Sequence, residues 1–508
     1  MYDNILYRKN ALISLSISSI NLIRSAGDTL LVKKYNRAQA LKAGLANHDA
    51  NTVYDYVTQS SIPRETAEKL VVRFDEEIAH RSSMLGDITQ GLSFSWKDVQ
   101  RHLKSRDVAI EFSRYEKGEK AYYAAFLLQA EGVPTFIPLF PESVFLGAVN
   151  AQNYYQDSSV YDLVWKPLEP YLTEKNNIYF SPDGILHNIA IESVPGVNPR
   201  LCLYRLSSTC YLVKNYYEGA DQAVVYGGIQ YDMDLSQMQT TGTIDGFNRD
   251  SSADLFFNSD GASRSGVSFL FGSQKEAEDI TIQYSDNGIP CRAITGTDAT
   301  ETSFKSLNGQ EIKTLHVATH GFYVHPQDSD AKDYDTLEGE ALYRSGLLFA
   351  GANNYLRGKR IPQNIDDGIL TAKEISELDL RNVDLAVLSA CETGLGDITS
   401  SGVYGLQRGL KKAGVHSLLV SLWAVDDNAT QLLMTHFYKN LISGMSKLTS
   451  LKEAQQYLKD YSITEEEVSE EPEVLNFIPQ ERKENEPKPV HPFEDPYFWA
   501  AFILIDGI

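Results

Sequence analysis

The sequence is poor in cysteine and has no long apolar run. Only 4 cysteines occur in 508 residues, and their spacing matches no common metal-ligand pattern. We therefore expect reduced thiols rather than a disulfide scaffold, and no bound metal or cofactor. No apolar stretch reaches the roughly 18 residues that cross a bilayer, and residues 1–30 lack a secretory signal pattern. These absences predict a cytoplasmic protein that does not bind membranes.

Basic residues are also outnumbered by acidic ones. The chain has 46 Lys and Arg against 68 Asp and Glu, which gives a formal net charge of -22. Such a chain repels phosphate backbones, so nucleic acid is not an expected partner, whereas a basic protein or peptide is favoured. The length calls for about two or three domains, because a single hydrophobic core rarely grows so large.

Changes in composition and periodicity divide the chain into regions. Residues 1–103 have apolar positions at helical spacing and predict a helical connector. Residues 104–230 mix strand patterns with turns and predict a first α/β half. Residues 231–266 are rich in Ser, Thr, Asp, Asn and Gly and predict a flexible linker. Residues 267–508 predict a second α/β half, which contains an acidic, proline-rich loop at 462–495.

The second half alternates between apolar strands and helical patterns. Strand patterns cover 313–319, 384–390, 416–425 and the apolar C-terminus, and helical patterns cover 371–378, 402–413 and 427–443. Near-continuous apolar strands separated by helices are typical of buried parallel sheets. The sequence therefore predicts an α/β fold whose mostly parallel sheet is flanked by helices.

Two of these strands run into reactive residues, His320 and Cys391. Functional groups gather at the carboxyl ends of parallel strands, so neighbouring strands would bring the two side chains to one edge. An imidazole beside a thiol removes its proton or raises its thiolate fraction. Taken singly, a Cys or His at a strand end is more often a structural residue. The pair predicts nucleophilic catalysis.

Glycines near the strand ends suit acyl transfer, which needs backbone N–H groups directed at the oxyanion. Gly321 directly follows His320 and lets a substrate carbonyl approach the main chain, while the N–H of Cys391 is the second candidate donor. No third member of a triad is evident. We therefore expect a Cys–His dyad that hydrolyses peptides through a thioester acyl-enzyme.

Several segments resemble the CHAT domain, a caspase-like domain that is related to separase and often attached to TPR arrays. They occur in the family's order: SPDGILHNIAIES at 181–193, ATETSFKSL at 299–307, HVATHGF at 316–322, GLLFAGAN at 346–353, LSACETGLG at 388–396, residues 402–430 and the terminal DPYFWAAFILI. The resemblance spans at least residues 107–506. It implies cysteine peptidase chemistry, with His320 and Cys391 at the positions of the family's catalytic pair.

The resemblance also implies an organisation and a set of partners. Residues 104–230 would be a pseudo-protease half beside the active half, and residues 1–103 the connector that usually follows TPR repeats. No complete TPR is visible, whereas family members are commonly activated through a partner or an attached TPR region. We therefore expect a protein or peptide substrate and an activating protein partner or TPR region. A bacterial source, and a role in defence or programmed death, would follow only from association with the family.

Two acidic residues, Asp426 and Asp427, follow the strand at 416–425. In separase a similar segment carries the acid that holds a basic side chain at P1, the substrate residue before the scissile bond. The resemblance thus implies that Asp427, or else Asp426, favours Arg or Lys there. The alternative is that Asp426 caps the helix that follows. The sequence leaves both roles open for these residues.

Other functions remain open from the residues alone. His316 and His320 form an HxxxH pair on a strand, but a metal site would need a third ligand, and none is apparent. The main alternative to a peptidase is a signalling scaffold that binds partners on a caspase-like fold without cleaving them. A weaker alternative is a different acyl hydrolase on a similar sheet.

Overall fold

The structure is a computed structural model that describes residues 2–14, 29–45, 52–55, 57–58, 60–85, 94–148, 154–213, 221–241, 266–324, 342–362, 365–390, 397–399, 402–463 and 490–508. Most of the predicted loop at 462–495 and residues 242–265 of the predicted linker lie outside these ranges. Within them, no helix combines the length and the apolarity that a bilayer span requires.

The described strands are β1 (Thr52–Asp55), β2 (Ser60–Pro63), β3 (Asp107–Lys117), β4 (Lys120–Gln129), β5 (Thr135–Pro141), β6 (Asn177–Ser181), β7 (Cys202–Arg205), β8 (Ala223–Ile229), β9 (Cys291–Gly296), β10 (Thr314–Ala318), β11 (Gly321–Tyr323), β12 (Ser345–Leu348), β13 (Ile369–Thr371), β14 (Leu385–Ser389), β15 (Asp397–Thr399), β16 (Gly402–Tyr404), β17 (Ser417–Ser421) and β18 (Phe502–Ile505).

The described α-helices are α1 (Tyr2–Ser14), α2 (Thr29–Leu45), α3 (Arg64–Leu85), α4 (Trp96–Gln100), α5 (Glu142–Ala148), α6 (Ser159–Val164), α7 (Glu169–Leu172), α8 (Leu235–Thr241), α9 (Phe271–Asp286), α10 (Glu301–Lys305), α11 (Ala352–Leu356), α12 (Ala372–Ile375), α13 (Leu406–Ala413), α14 (Asp427–Ile442), α15 (Lys447–Asp460) and α16 (Pro496–Trp499). Short 3₁₀ helices cover Lys166–Leu168, Gly184–Asn188 and Thr209–Val213.

One sheet dominates the described part of the chain. It has eleven strands in the order β5-β4-β3-β6-β7-β18-β17-β14-β10-β8-β9, and most neighbouring pairs are parallel. Alternate residues of β14 enter different cores: Leu385 and Val387 pack with α9 and α14, whereas Ala386 and Leu388 pack with α12 and α13. Burial of both faces explains the apolar strands. The predicted α/β fold with a mostly parallel, helix-flanked sheet is confirmed.

The two predicted halves share this sheet. The C-terminal strand β18 lies between β7 and β17, parallel to the first and antiparallel to the second. Strand β8 falls before the predicted boundary at residue 230, yet it pairs with β9 and β10 of the second half. Local patterns identify strands but not their partners, because pairing is decided by contacts between distant parts of the chain.

Two predicted segments differ from the structure. Tyr231, Met233 and Met238 are buried in a core of the second half, so the start of the predicted linker is packed there. A few apolar side chains among many polar ones are enough to anchor it. Residues 402–404 pair with β15 as strand β16, so the helix predicted from 402 begins only at Leu406.

The N-terminal region contains helices α1 to α4 and also the hairpin β1–β2, which the helical prediction missed. Strand β1 alternates exposed and buried residues, and its Val53 packs with Leu41, Ala67 and Val71 of the flanking helices. Four-residue strands give too short a pattern to be separated from helix by periodicity alone.

Helix α1 docks on the first half through a buried lysine. The Nζ of Lys9 donates to Glu111 Oε2 at 2.7 Å and to Ser181 Oγ at 2.8 Å, and it also contacts three backbone carbonyls at 3.0–3.2 Å. Both charged side chains are buried. A buried charge is tolerated only with such partners. The pair therefore ties α1 to the middle of β3 and the end of β6.

Replacing Lys9 with Ala should strongly destabilise the protein. The Glu111 carboxylate would stay buried without its counter-charge, which costs about 3–5 kcal/mol in comparable pairs. Urea unfolding followed by circular dichroism measures the loss. Lys69→Ala is the control, because it removes an exposed pair with Glu65 and should leave the unfolding midpoint nearly unchanged. Equal midpoints for the two variants would contradict this role for Lys9.

Candidate functional site

The site lies where β10 and β14 end. These strands are parallel neighbours, and their register pairs Ala318 with Ser389. His320 follows Ala318 by two residues, just as Cys391 follows Ser389 by two. Cys391 itself lies outside the described residues. The strands are thus neighbours at this edge, which a pairing of His320 with Cys391 requires.

The His320 ring is held by residues far from it in sequence. Its Nε2 donates to the backbone carbonyl of Ser268 at 2.8 Å, and its ring centroid lies 5.1 Å from that of Tyr231. The hydroxyl of Tyr231 also accepts the backbone N–H of His320 at 3.3 Å. Because a carbonyl can only accept, Nε2 must carry the hydrogen. In the neutral imidazole Nδ1 is then the basic nitrogen.

The surroundings of His320 favour the neutral form that a general base needs. Burial lowers the pKa of His320, while the Ser268 carbonyl and the charge of Asp427 oppose this shift. The net direction is downward, so the imidazole is mainly uncharged at neutral pH. An uncharged ring with a defined tautomer is suited to take a proton from a thiol.

The two acidic residues after β17 have different environments. Asp426 is the N-cap of α14, and its Oδ1 accepts the N–H of Ala429 at 2.9 Å. Asp427 instead directs Oδ2 to the N–H of Gly272 at 2.7 Å, and its charge raises the pKa of His320. The capping role is therefore filled by Asp426. Asp427 faces the site and stays the candidate for substrate binding.

Gly272 is fitted closely to Asp427. A Cβ atom at Gly272 would lie 2.5 Å from the Cγ of Asp427, so a larger residue would displace the carboxylate. The same segment is anchored at Val267, which exchanges hydrogen bonds of 2.7 and 2.9 Å with the Asn353 side chain. Residues 266–272 therefore lie along the site as a fixed strap.

Gly321, the other oxyanion candidate, opens strand β11. This strand joins β12 and β13 in a small antiparallel sheet, in which Gly321 is opposite Leu347. The carbonyl of His320 accepts the N–H of Leu348 at 2.9 Å, so this sheet continues directly from the histidine. The oxyanion role of Gly321 and Cys391 stays a prediction.

The second histidine of the HxxxH pair belongs to a different environment. His316 is fully buried, with Nε2 at 3.0 Å from Glu276 Oε1 and Nδ1 at 3.2 Å from the hydroxyl of Tyr438. Its described polar contacts are with α9 and α14, whereas His320 contacts the Ser268 carbonyl.

Sequence reasoning missed Ser268, Gly272 and Tyr231. Ser268 and Gly272 act through backbone groups, which every residue type carries, so no sequence signal marks them. Tyr231 lies two residues after β8, within the predicted linker. Its position after a strand of the same sheet was the one available signal, and it required knowing that β8 neighbours β10.

The large, mostly parallel sheet with helices on both faces defines an α/β domain. The CHAT domain profile matches residues 158–506, so the chain belongs to the CHAT domain family, as the sequence motifs indicated. Human tetratricopeptide repeat protein 28 is 26% identical over 203 residues, a match covering 38% of this chain. It covers only 8% of that protein's length. A bacterial source and a cytoplasmic location stay predictions.

The solved structures that match this chain do so at low similarity. The Arg-specific cysteine proteinase gingipain R has a TM-score of 0.34 and 10% identity, covering 63% of this chain and 66% of that one. The Saccharomyces cerevisiae separase–securin complex has a TM-score of 0.39 and 8% identity, covering 77% of this chain and 32% of that one. Such distant likeness supports no statement about activity.

Replacing Asp427 with Asn should lower the pKa of His320 further, because the carboxylate charge stabilises the imidazolium. The Asn oxygen can still accept the N–H of Gly272, so the local structure should persist. A pH titration of ¹⁵N-histidine signals by NMR measures the shift, with the His320 signal assigned from His320→Gln. Asp460→Asn, at an exposed position, is the control. An unchanged or higher pKa in Asp427→Asn would contradict the assignment.

Proposed function

We propose that this protein is a cysteine endopeptidase of the CHAT type, with Cys391 as the nucleophile and His320 as the general base. The supporting observation is the state of His320. The Ser268 carbonyl binds its Nε2, which leaves Nδ1 as the base, at the edge where β14 runs into Cys391. A fixed, neutral imidazole at this position suits removal of a thiol proton.

The proposed reaction is peptide hydrolysis through a thioester. His320 takes the thiol proton while the Cys391 sulfur bonds to the scissile carbonyl carbon, and the N–H groups of Gly321 and Cys391 stabilise the oxyanion. The imidazolium then protonates the leaving amine as the C–N bond breaks. Water, activated by His320, finally attacks the thioester and releases the acid. The Ser268 carbonyl orients the ring throughout and stabilises its charged form.

Asp427 supports a preference for Arg or Lys at P1. Its charge opposes the lowering of the His320 pKa by burial, which supports a role for Asp427 in the same site. A basic side chain beside a half-buried carboxylate gains about a few kcal/mol over a neutral one. The substrate would be a protein or peptide. Family membership and the name of the tetratricopeptide relative support activation by a protein partner or a TPR region.

Cleavage of a diverse peptide library should require Cys391 and depend on Asp427. Wild type should cleave after Arg or Lys, Cys391→Ala should not cleave, and Asp427→Asn should lose most of the basic preference, by roughly tenfold or more. Asp426→Asn is the matched control, because Asn caps helices as well as Asp does and P1 preference should persist. Mass spectrometry of the products identifies the cleavage sites for each of the four proteins.

The possible outcomes of the library experiment test different parts of the proposal. Cleavage by wild type without a basic preference would keep the peptidase and remove the role of Asp427. Cleavage by Cys391→Ala would point to another acyl hydrolase or a contaminant. If wild type cleaves nothing and its Cys391 thiol is unreactive, the non-cleaving signalling scaffold becomes the better explanation.

A further inference from the structure

A buried carboxylate contacts both β10 and β14. Glu276 of α9 is 1% exposed, and its Oε2 accepts the hydroxyl hydrogen of Ser389 at 3.0 Å. Its other oxygen, Oε1, lies 3.0 Å from Nε2 of His316. These contacts reach β14 and β10 respectively, so one side chain touches both strands that lead to the site.

The two contacts are close to the candidate pair along the chain. Ser389 precedes Cys391 by two residues, and His316 precedes His320 by four. The carbonyl before Cys391, that of Ala390, accepts the hydroxyl of Ser421 at 2.5 Å, so β17 holds the strand end from the other side. The end of β14 is thus fixed by side chains from two different elements.

Buried polar groups of this kind are not in general a requirement for a stable fold. Ser389 and His316 are polar positions in otherwise apolar strands, and buried polar clusters are often no more stabilising than apolar packing of the same volume. Burial raises the pKa of Glu276, which shows that its charge is costly there, while the adjacent His316 opposes the rise. Clusters of this kind are best explained by the geometry that they specify.

Helix α9 also carries the groups that contact the site directly. Gly272 binds Asp427 and is one helical turn before Glu276, so the two lie on the same face of α9. Ser268, whose carbonyl binds His320, lies three residues before the first residue of the helix. Any shift of α9 would therefore move the strap against His320 and Asp427 at the same time.

We propose that Glu276 is a positioning residue, which through Ser389 and His316 holds β10 and β14 in the relative placement that aligns Cys391 with His320. The inference rests on the proposed peptidase function. A misplacement of about 1 Å between reacting groups can reduce a rate by about 100-fold, so a residue that fixes two strands can control reactivity without touching substrate.

Two substitutions separate positioning from general support of the fold. Glu276→Gln keeps the size of the side chain and an oxygen that accepts from Ser389. Its amide can also donate to Nε2 of His316 if the ring takes the other tautomer. Glu276→Leu removes both contacts but stays compatible with burial. Glu278→Leu, at an exposed position on the same helix, is the matched control.

The experiment measures the alkylation rate of each cysteine by iodoacetamide, resolved by mass spectrometry of peptides. The full chain is used, at a temperature where circular dichroism shows every variant folded. We expect Cys391 in Glu276→Leu to react at least about tenfold more slowly than in wild type, approaching the rate of His320→Ala. Glu276→Gln and Glu278→Leu should stay within about threefold of wild type.

The other cysteines report on the fold in the same experiment. Cys202, Cys210 and Cys291 should keep their wild-type alkylation rates, whereas a merely loosened fold would make them react faster. If Cys391 in Glu276→Leu reacts at the wild-type rate, the positioning role is overturned. The same follows if Cys391 reacts as slowly in Glu276→Gln as in Glu276→Leu. Neither result would contradict the proposed function. If Cys391 of the wild type reacts no faster than Cys202, and if its rate is unchanged in His320→Ala, the proposed function is overturned. This inference then fails with it.

Discussion

The parallel pairing of β10 with β14 is the constraint on which the rest of the site depends. It places the last paired residues, Ala318 and Ser389, side by side, and each is followed by one member of the candidate pair two residues later. The pairing persists because both faces of the sheet are buried, which makes a slip of register costly. Chemistry at this edge therefore follows from the packing of the sheet.

Helix α9 and the strap before it connect this edge to its surroundings. Their contacts with His320 and Asp427 use backbone groups, which keep their direction whatever side chains surround them. A preorganised imidazole needs no rearrangement when a proton is transferred, and preorganisation is a major source of catalytic power. The same helix supplies Glu276 beneath the sheet, so one rigid element supports the site from two sides.

Two of the buried charged groups lie where separate elements meet. Lys9 and Glu111 join α1 to the first half, and Glu276 joins α9 to two strands. Each costs desolvation, and each has its polar neighbours close by only when the separate elements meet in one arrangement. The two halves are joined in a different way, because β18 pairs with a strand of each.

The sequence alone was sufficient for the fold class, the main strands of the second half and the residues that end them, since apolar runs and strand-end positions are local patterns. Tertiary structure alone decided that β8 pairs with β10, that Asp426 caps while Asp427 faces the site, and that Ser268 holds His320. These features depend on contacts between distant residues. A backbone carbonyl is the same in every residue, so only the folded chain shows which one meets the histidine.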